Sequence, residues 1–361
     1  IAKASGVADL GFVKGVAVGD YNNDGRPDLY VSVKGASNRL FRNDGPYRGD
    51  DSSHPSRWKF TDVTATAHVA EPIESFTTWF FDYDNDGWPD LFVAGYSSTA
   101  ADIGAFESGL PSSAEVPRLY HNEHNGTFRD VTHSMRLDRA ILIMGASFGD
   151  LDNDGWLDVY LGTGDSLYTS LLPNRMFRND SGRGFQDVTT AGGFGHLQKG
   201  HSIAFGDIEN DGDEDIFEEM GGALPGDGYK SVLYRNPGAP SSHSITLSLI
   251  GSRSNRSAIG AAIHVTVPGA PDARQIYRVV GYGSSFGGNP LRQHIGVGAS
   301  TGPLLVTVHW PASNRTQTFR ALAVDHAYVI TEGDDHVQPI TYRQFRLPDP
   351  VIPSDMTDAG P

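Results

Sequence analysis

The hydrophobic pattern of this chain is short and punctuated. Val16–Gly19, Leu29–Val33, Arg39–Arg42 and Lys59–Val63 are brief stretches rich in β-branched and aromatic residues, with Gly, Pro, Asn and Asp between them. Each reads as a strand, and the intervening residues read as turns. The pattern returns through residue 238. Farther on, Ile245–Leu249, Ala262–Val267, Ile276–Val280 and Leu304–His309 alternate apolar and polar positions, as strands of a small sandwich do. The expected fold class is all-β.

The early strands belong to a repeat. Asp20-Tyr-Asn-Asn-Asp-Gly-Arg-Pro-Asp28 returns as Asp82-Tyr-Asp-Asn-Asp-Gly-Trp-Pro-Asp90, as Asp150-Leu-Asp-Asn-Asp-Gly-Trp-Leu-Asp158 and as Asp207-Ile-Glu-Asn-Asp-Gly-Asp-Glu-Asp215, at spacings of 62, 68 and 57. Phe60-Thr-Asp-Val-Thr64, Phe128-Arg-Asp-Val-Thr132 and Phe185-Gln-Asp-Val-Thr189 each place an Asp 20 residues before the next acidic loop. A third element runs Arg39-Leu-Phe-Arg-Asn43, Arg118-Leu-Tyr-His-Asn122, Arg175-Met-Phe-Arg-Asn179 and Val232-Leu-Tyr-Arg-Asn236. Length varies near 44–57 and 97–116, where surface loops are expected. About 60 residues in four strands make one propeller blade. The fixed period favours a propeller, with at least four repeats, over a sandwich of the same strands. Ile1–Val7 aligns with Val63–Val69, both starting 19 residues before an acidic loop. An earlier repeat is therefore expected upstream. The last copy lacks a Phe-x-Asp-Val-Thr strand after Asn236, a place for the N-terminal segment or the second domain to fill.

Composition sharpens this picture. The 361 residues suggest two domains, read as 1–238 for the repeats, 243–333 for a second β-domain and 334–361 for an extended, Pro-rich tail. Gly 43 and Pro 21 fit many turns and short strands rather than long helices. Zero Cys excludes disulfides, thiolate zinc sites and a Cys nucleophile. No apolar run reaches the roughly 18 residues of a membrane-spanning helix. The net charge of −16, without a basic stripe to meet phosphates, argues against nucleic acid.

Much of that charge sits in the four acidic loops. Oxygen side chains stand at positions 1, 3, 5 and 9: Asp20, Asn22, Asp24 and Asp28; Asp82, Asp84, Asp86 and Asp90; Asp150, Asp152, Asp154 and Asp158; Asp207, Glu209, Asp211 and Asp215. Position 7 (Arg26, Trp88, Trp156 and Asp213) is suited to offer a backbone carbonyl, and position 6 is always Gly (25, 87, 155 and 212), which permits the sharp turn. Calcium takes about 6–8 hard oxygen ligands, and a loop that folds back on itself supplies most of them. No Glu stands at position 12 and no long helix flanks the loop, so these are not EF-hands. Without a cation, the carboxylates would repel in so tight a turn. The expected cofactor is Ca²⁺, about four ions. Calcium modules with Kd of about 10⁻⁴–10⁻³ M match conditions outside the cytosol, which points to an extracellular or periplasmic, secreted protein.

These loops resemble the FG-GAP/VCBS repeats of integrin-type propellers, and Ser147-Phe-Gly-Asp150 and Ala204-Phe-Gly-Asp207 look like that family's lead into its calcium loop. The remainder resembles the UnbV/ASPIC domain of the cartilage acidic protein family and its bacterial relatives. Its carrying residues are Asn255-Arg-Ser-Ala-Ile-Gly260, Arg274-Gln-Ile276, Gly281-Tyr-Gly-Ser-Ser285, Leu291-Arg-Gln-His-Ile-Gly-Val-Gly298, Trp310-Pro311 and Gln317-Thr-Phe319. The lack of a Cys-rich C-terminal module suggests a bacterial-type member. The resemblance implies secreted calcium-binding proteins, often adhesive, with propellers commonly of seven blades.

No catalytic motif is present: no His-Glu-x-x-His, no Gly-x-Ser-x-Gly and no phosphate loop. No catalytic residue is assigned. The segment Glu218–Asp227 departs from the repeat, since Glu218 and Glu219 stand where the other copies carry apolar or small residues. Trp88 and Trp156 read as covers for neighbouring blades or as surface contacts. Two function classes fit. One is a non-catalytic binding, adhesion or assembly module for a protein or glycan partner, either alone or as a subunit of a larger extracellular assembly. The other is a calcium-dependent enzyme with its site at the propeller centre or in the Glu218–Asp227 loop. Fold alone does not choose between them.

Overall fold

Each repeat folds into one antiparallel sheet. The structure, a computed structural model, describes residues 2–8, 11–47, 58–96, 99–165, 171–222, 229–269 and 273–348. The first blade contains β1 (Phe12–Gly19), β2 (Asp28–Lys34), β3 (Arg39–Pro46) and β4 (Trp58–Asp62). The second contains β5 (Ser75–Phe81), β6 (Asp90–Gly95), β7 (Arg118–Asn122) and β8 (Phe128–Asp130). The third contains β9 (Ile143–Gly149), β10 (Asp158–Thr163), β11 (Arg175–Asn179) and β12 (Phe185–Asp187). Strands pair in chain order within each sheet. The fourth blade has three strands among the described residues: β13 (Gly200–Gly206), β14 (Asp215–Met220) and β15 (Val232–Tyr234). Strands β1, β5, β9 and β13 lie side by side in that order. The chain is thus nearly all-β, with propeller-like blades.

Three helices are described: α1 (Ala2–Ser5), α2 (Thr64–Ala67) and α3 (Ala100–Glu107). The last lies in the 97–116 insertion and is closed by a capping box, in which Thr99 Oγ1 accepts the Asp102 amide. The sequence reading missed it.

The Phe-x-Asp-Val-Thr element is a corner with a mechanism. The Asp carboxylate accepts the amide of the Thr two residues on, at 3.0 Å (Asp62), 2.9 Å (Asp130) and 3.1 Å (Asp187). The Thr hydroxyl then accepts an amide from the third strand: Leu40 at 2.8 Å, Leu119 at 2.9 Å and Met176 at 3.0 Å. The first Arg of the third element pairs with the same Asp, as Arg39–Asp62, Arg118–Asp130 and Arg175–Asp187. In the fourth blade Val232 replaces that Arg. The cation and the strand carrying its partner are absent from this copy together. Among the described residues neither the N-terminal segment nor the second domain pairs with β15: α1 lies against β4, and the sheet ends at β15.

The Asn that closes the third element joins the blades. Asn122 Nδ2 donates to Pro89 O within its blade and to Tyr21 O of the preceding one, at 2.9 and 2.7 Å. Asn179 bonds Leu157 O and Tyr83 O in the same way, and Asn236 bonds Glu214 O and Leu151 O. Asn43, in the first blade, donates to Pro27 O alone. Aromatic residues fill the seams, with Trp79, Phe81, Tyr83, Phe92, Phe148 and Phe177 buried together. Val16 and Val18 are 47% and 50% exposed. At their repeat equivalents, Thr78, Phe80, Ala146 and Ile203 are buried, because each of those faces packs on the blade before it.

The second domain is a sandwich of two four-stranded sheets. Its strands are β16 (His243–Ile250), β17 (Ala262–Val267), β18 (Arg274–Val279), β19 (Gln293–Gly298), β20 (Leu304–Trp310), β21 (Arg315–Leu322), β22 (His326–Thr331) and β23 (Gln338–Ile340). The sheet orders are β19-β16-β22-β23 and β18-β17-β20-β21, with β16 and β22 parallel. Ile263, Val265, Val306, Trp310 and their neighbours form one core between the sheets. The tail adds the exposed edge strand β23, pairing with β22, and residues 341–348 after it carry no regular secondary structure. Residues 349–361 lie outside the described residues.

One segment of this domain fits against the blades. Tyr282 hydroxyl accepts the Asp20 amide at 3.1 Å. Ser285 Oγ accepts the Thr78 amide at 3.3 Å. Phe286 O accepts the Ala146 amide at 3.2 Å, and Gly287 bridges Ile203. Asn289 Nδ2 donates to Phe148 O at 2.6 Å, while its Oδ1 accepts the Phe205 amide at 3.0 Å. Residues 282–290 therefore cross the innermost strand of all four blades.

Substituting Asn179→Ala removes two buried carbonyl contacts, one of them between blades, whereas Asn43→Ala removes one within a blade. Each orphaned buried group costs about 1–3 kcal/mol. Urea unfolding is expected to show Asn179→Ala as the more destabilised by at least about 1 kcal/mol.

Candidate metal centres

Each acidic loop is wound by its own carboxylates. The position-1 Asp accepts the amide of the position-6 Gly: Gly25 at 2.7 Å, Gly87 and Gly155 at 2.8 Å, and Gly212 at 3.3 Å. The position-5 Asp accepts the position-7 amide, at 3.0, 2.8, 2.9 and 3.3 Å along the chain. The position-9 Asp begins the second strand and accepts two amides. Asp90 takes Tyr83 and Asn122, and Asp158 takes Leu151 and Asn179; Asp28 and Asp215 repeat the arrangement. The Asn at position 4 adopts positive φ in all four copies, 53–57°. It points its side chain out of the loop. Asn23 donates to Gly87 O, Asn85 to Gly155 O and Asn153 to Gly212 O, at 3.1, 2.9 and 2.9 Å. Each of the first three loops thereby holds the position-6 carbonyl of the next, while Asn210 of the fourth donates to Arg343 O.

The carboxylates are crowded and dry. Ligand oxygens of Asp82, Asp84 and Asp86 lie within 4.8 Å of one another, as do those of Asp150, Asp152 and Asp154. Burial, reinforced by neighbouring loop carboxylates, pushes Asp28, Asp90 and Asp150 up to about 7. Burial likewise raises Asp82 and Asp158 well above their ordinary value. Oδ1 of Asp84, Asp150 and Asp152 is buried without a hydrogen-bond partner. Converging hard oxygens with unused lone pairs fit a divalent cation, so loops two and three could hold one. The first loop brings fewer carboxylates, Asp20, Asp24 and Asp28, with Asn22 donating to Asp24 at 3.1 Å and the Arg26 guanidinium also on Asp24. In the fourth, Glu209 accepts the Leu347 amide at 2.5 Å and Asp213 accepts from Asn153 at 2.8 Å.

Several residues that matter here were not singled out from the sequence. His121 takes the place of Arg42, Arg178 and Arg235 in the third element. Its Nδ1 lies 3.3 Å from Asp84 and 3.4 Å from Asp90, and these carboxylates hold the imidazole up to about 10. Arg178 spans Asp152 and Asp154 in the next blade. The repeat alignment carried this signal: a basic residue at the same position of the third element in every copy. Glu214, at position 8 where the other loops carry Pro or Leu, accepts the Asp150 amide at 2.9 Å, and burial raises it to about 8.

The other flagged positions are structural. Trp88 stacks on His124 of its own blade, with ring centroids 4.8 Å apart, and Trp156 lies against Gly182 beside the second loop. Glu218 is fully buried between blades three and four, accepting from the Tyr160 hydroxyl at 3.0 Å and from Asn174 Nδ2 at 2.5 Å. Glu219 is exposed, and residues 223–228 of that segment lie outside the described residues.

The raised carboxylates have a pH signature. Asp28, Asp90 and Asp150 each bind a proton in the folded state between their unfolded value near 4 and their folded value of about 7, so the metal-free fold loses stability as pH rises through that window. Thermal melting of chelator-treated protein should give a higher midpoint at pH 5.5 than at pH 7.5.

A family model for the FG-GAP-like repeat matches residues 20–93 and 82–161, which take in the first three acidic loops. A second model, ASPIC and UnbV, matches residues 251–337. No curated protein shows significant similarity to the chain. The repeated loops, their blades and the sandwich that follows agree with both matches: this is a chain of FG-GAP-like repeats carrying a C-terminal ASPIC and UnbV domain.

Proposed function

We propose that this chain is an extracellular or periplasmic, calcium-loaded binding module that presents its blades to a protein or glycan partner and performs no catalysis itself. The observation that carries the reading is the convergence of three carboxylates within 4.8 Å in loops two and three, with a fully buried Asp150 oxygen left unpartnered. Calcium takes many oxygens in flexible geometry, whereas magnesium keeps its waters and demands an octahedron. The position-1, -3, -5 and -9 side chains and the position-7 carbonyls of Arg26, Trp88, Trp156 and Asp213 would hold about four ions. Four divalent ions would halve the formal charge of −16. A Kd near the extracellular calcium level suits a cation that stays bound outside the cell.

Two further observations favour binding over chemistry. Glu218 is committed to Tyr160 and Asn174, and the innermost strands are occupied by residues 282–290. Among the described residues no helix is long and apolar enough to cross a membrane. The partner face lies on surfaces the second domain leaves free, including the insertion around α3, where Leu110 is 61% exposed.

Calorimetry on chelator-stripped protein should find calcium binding near four ions per chain. Saturation to 100 Kd stabilises by about 2.7 kcal/mol per site, so the melting midpoint should rise markedly. Asp154→Asn should remove one ion and part of that rise. No binding and an unchanged melt would overturn the reading.

A further inference from the structure

The second domain meets the acidic loops chiefly through their backbone and amide groups, and at Asp150 through one carboxylate oxygen. In the third loop, Arg274 donates to Asp154 O and Arg278 Nη2 to Gly155 O, the latter at 3.1 Å. Gly298 N donates to Asn153 O at 2.8 Å, His294 Nε2 lies 2.5 Å from Asn153 Oδ1, and Gly296 N reaches Asp150 Oδ2 at 3.0 Å. In the second loop, Asn85 Oδ1 accepts from Tyr277 N and Arg278 Nη1, both at 3.2 Å. In the fourth, Arg292 donates to Asp207 O at 2.7 Å and to Asn210 Oδ1 at 2.8 Å. None of these guanidinium groups reaches the first loop, which meets the domain through the Asp20 amide and Tyr282.

The choice of atoms is informative. The three arginines take carbonyls and position-4 amides, which have these positions only when the loop is wound. They leave the converging carboxylates of positions 1, 3 and 5 to another ligand. Arg278 is itself only 7% exposed, and its Nε has no partner. A buried cation so held depends on its few acceptors staying in place. The wound form gathers like charges that repel when bare, and a divalent cation removes that opposition. With four carboxylates in loops two and three, a bound dication still leaves net negative charge facing the arginines.

We propose that the face made by β18 and β19 is a docking surface for the cation-loaded form of loops two, three and four, so that calcium binding and seating of the second domain are one coupled equilibrium. This rests on the calcium reading above. Coupling is reciprocal: whatever factor calcium adds to docking, docking adds to calcium affinity. The Asn85-to-Gly155 and Asn153-to-Gly212 bonds extend the coupling from loop to loop.

The test uses the full chain. Hydrogen exchange, with calcium and after chelation, reads the amides of residues 282–298 against sandwich-core amides of β20. Removing calcium should speed exchange in 282–298 by about tenfold or more while β20 stays protected. Arg278→Met should weaken calcium binding at loops two and three about tenfold and leave loop one unchanged; Arg292→Met should do so at loop four. If the loops bind calcium but exchange in 282–298 ignores it, the coupling is wrong and the calcium reading stands. Loss of affinity at loop one equal to that at loops two and three would also overturn it, as a global effect. If no loop binds calcium, both fall.

Discussion

In every repeat a buried carboxylate accepts two backbone amides, one from the loop that leads to it and one from the third strand: Asp28, Asp90, Asp158 and Asp215. This contact sets the loop's curvature, the start of the second strand and the register of the third. In blades two to four the adjacent Asn then carries the register across the seam to the preceding blade. An unbonded carboxylate could not be buried there, and a bonded one still carries charge that its acidic neighbours oppose. The acidic loop is therefore both the organising centre of the blade and its most strained electrostatic point.

That tension explains the surroundings of the loops. A basic side chain reaches the loop carboxylates in blades two to four, through His121, Arg178 and Arg235, while Arg42 pairs with Asp44 outside its loop. Glu214 meets the Asp150 amide with its own raised carboxyl, and Arg278 lies among acidic groups in a site closed by both domains. Repulsion is offset in part from inside the fold, and a divalent cation would offset the rest.

The second domain ties the described blades together. Among the described residues the first blade exposes Val16 and Val18 and the fourth exposes Phe217, at 44%. A short Gly-rich segment, 282–290, ties the four inner strands through main-chain and small-side-chain contacts. Gly287 has φ 152° and its α-carbon sits where a Cβ would lie 2.2 Å from Ile203 O. Only glycine lets the chain approach so closely.

Local chemistry was legible in the sequence. The repeat period, the four strands of each complete blade and the acidic loops all follow from short-range rules: alternation, turn residues and oxygen spacing. So does the missing strand of the fourth blade, since Val232 and the absent Asp-Val-Thr corner are both visible in the chain. Contacts between distant residues were not legible. Nothing near Glu218 announces Tyr160 and Asn174 as partners 58 and 44 positions away, so from the sequence it reads as a departure from the repeat at the start of a candidate functional loop. Likewise nothing in the sequence pairs Arg274, Arg278 and Arg292 with acidic loops that lie 82 to 193 positions earlier, until the sandwich seats them there. Spacing determines what a nine-residue loop can hold, because its ligands are neighbours along the chain. What leans on that loop is decided only when the blades and the sandwich pack, because desolvation and hydrogen bonding act between whatever surfaces the fold brings together.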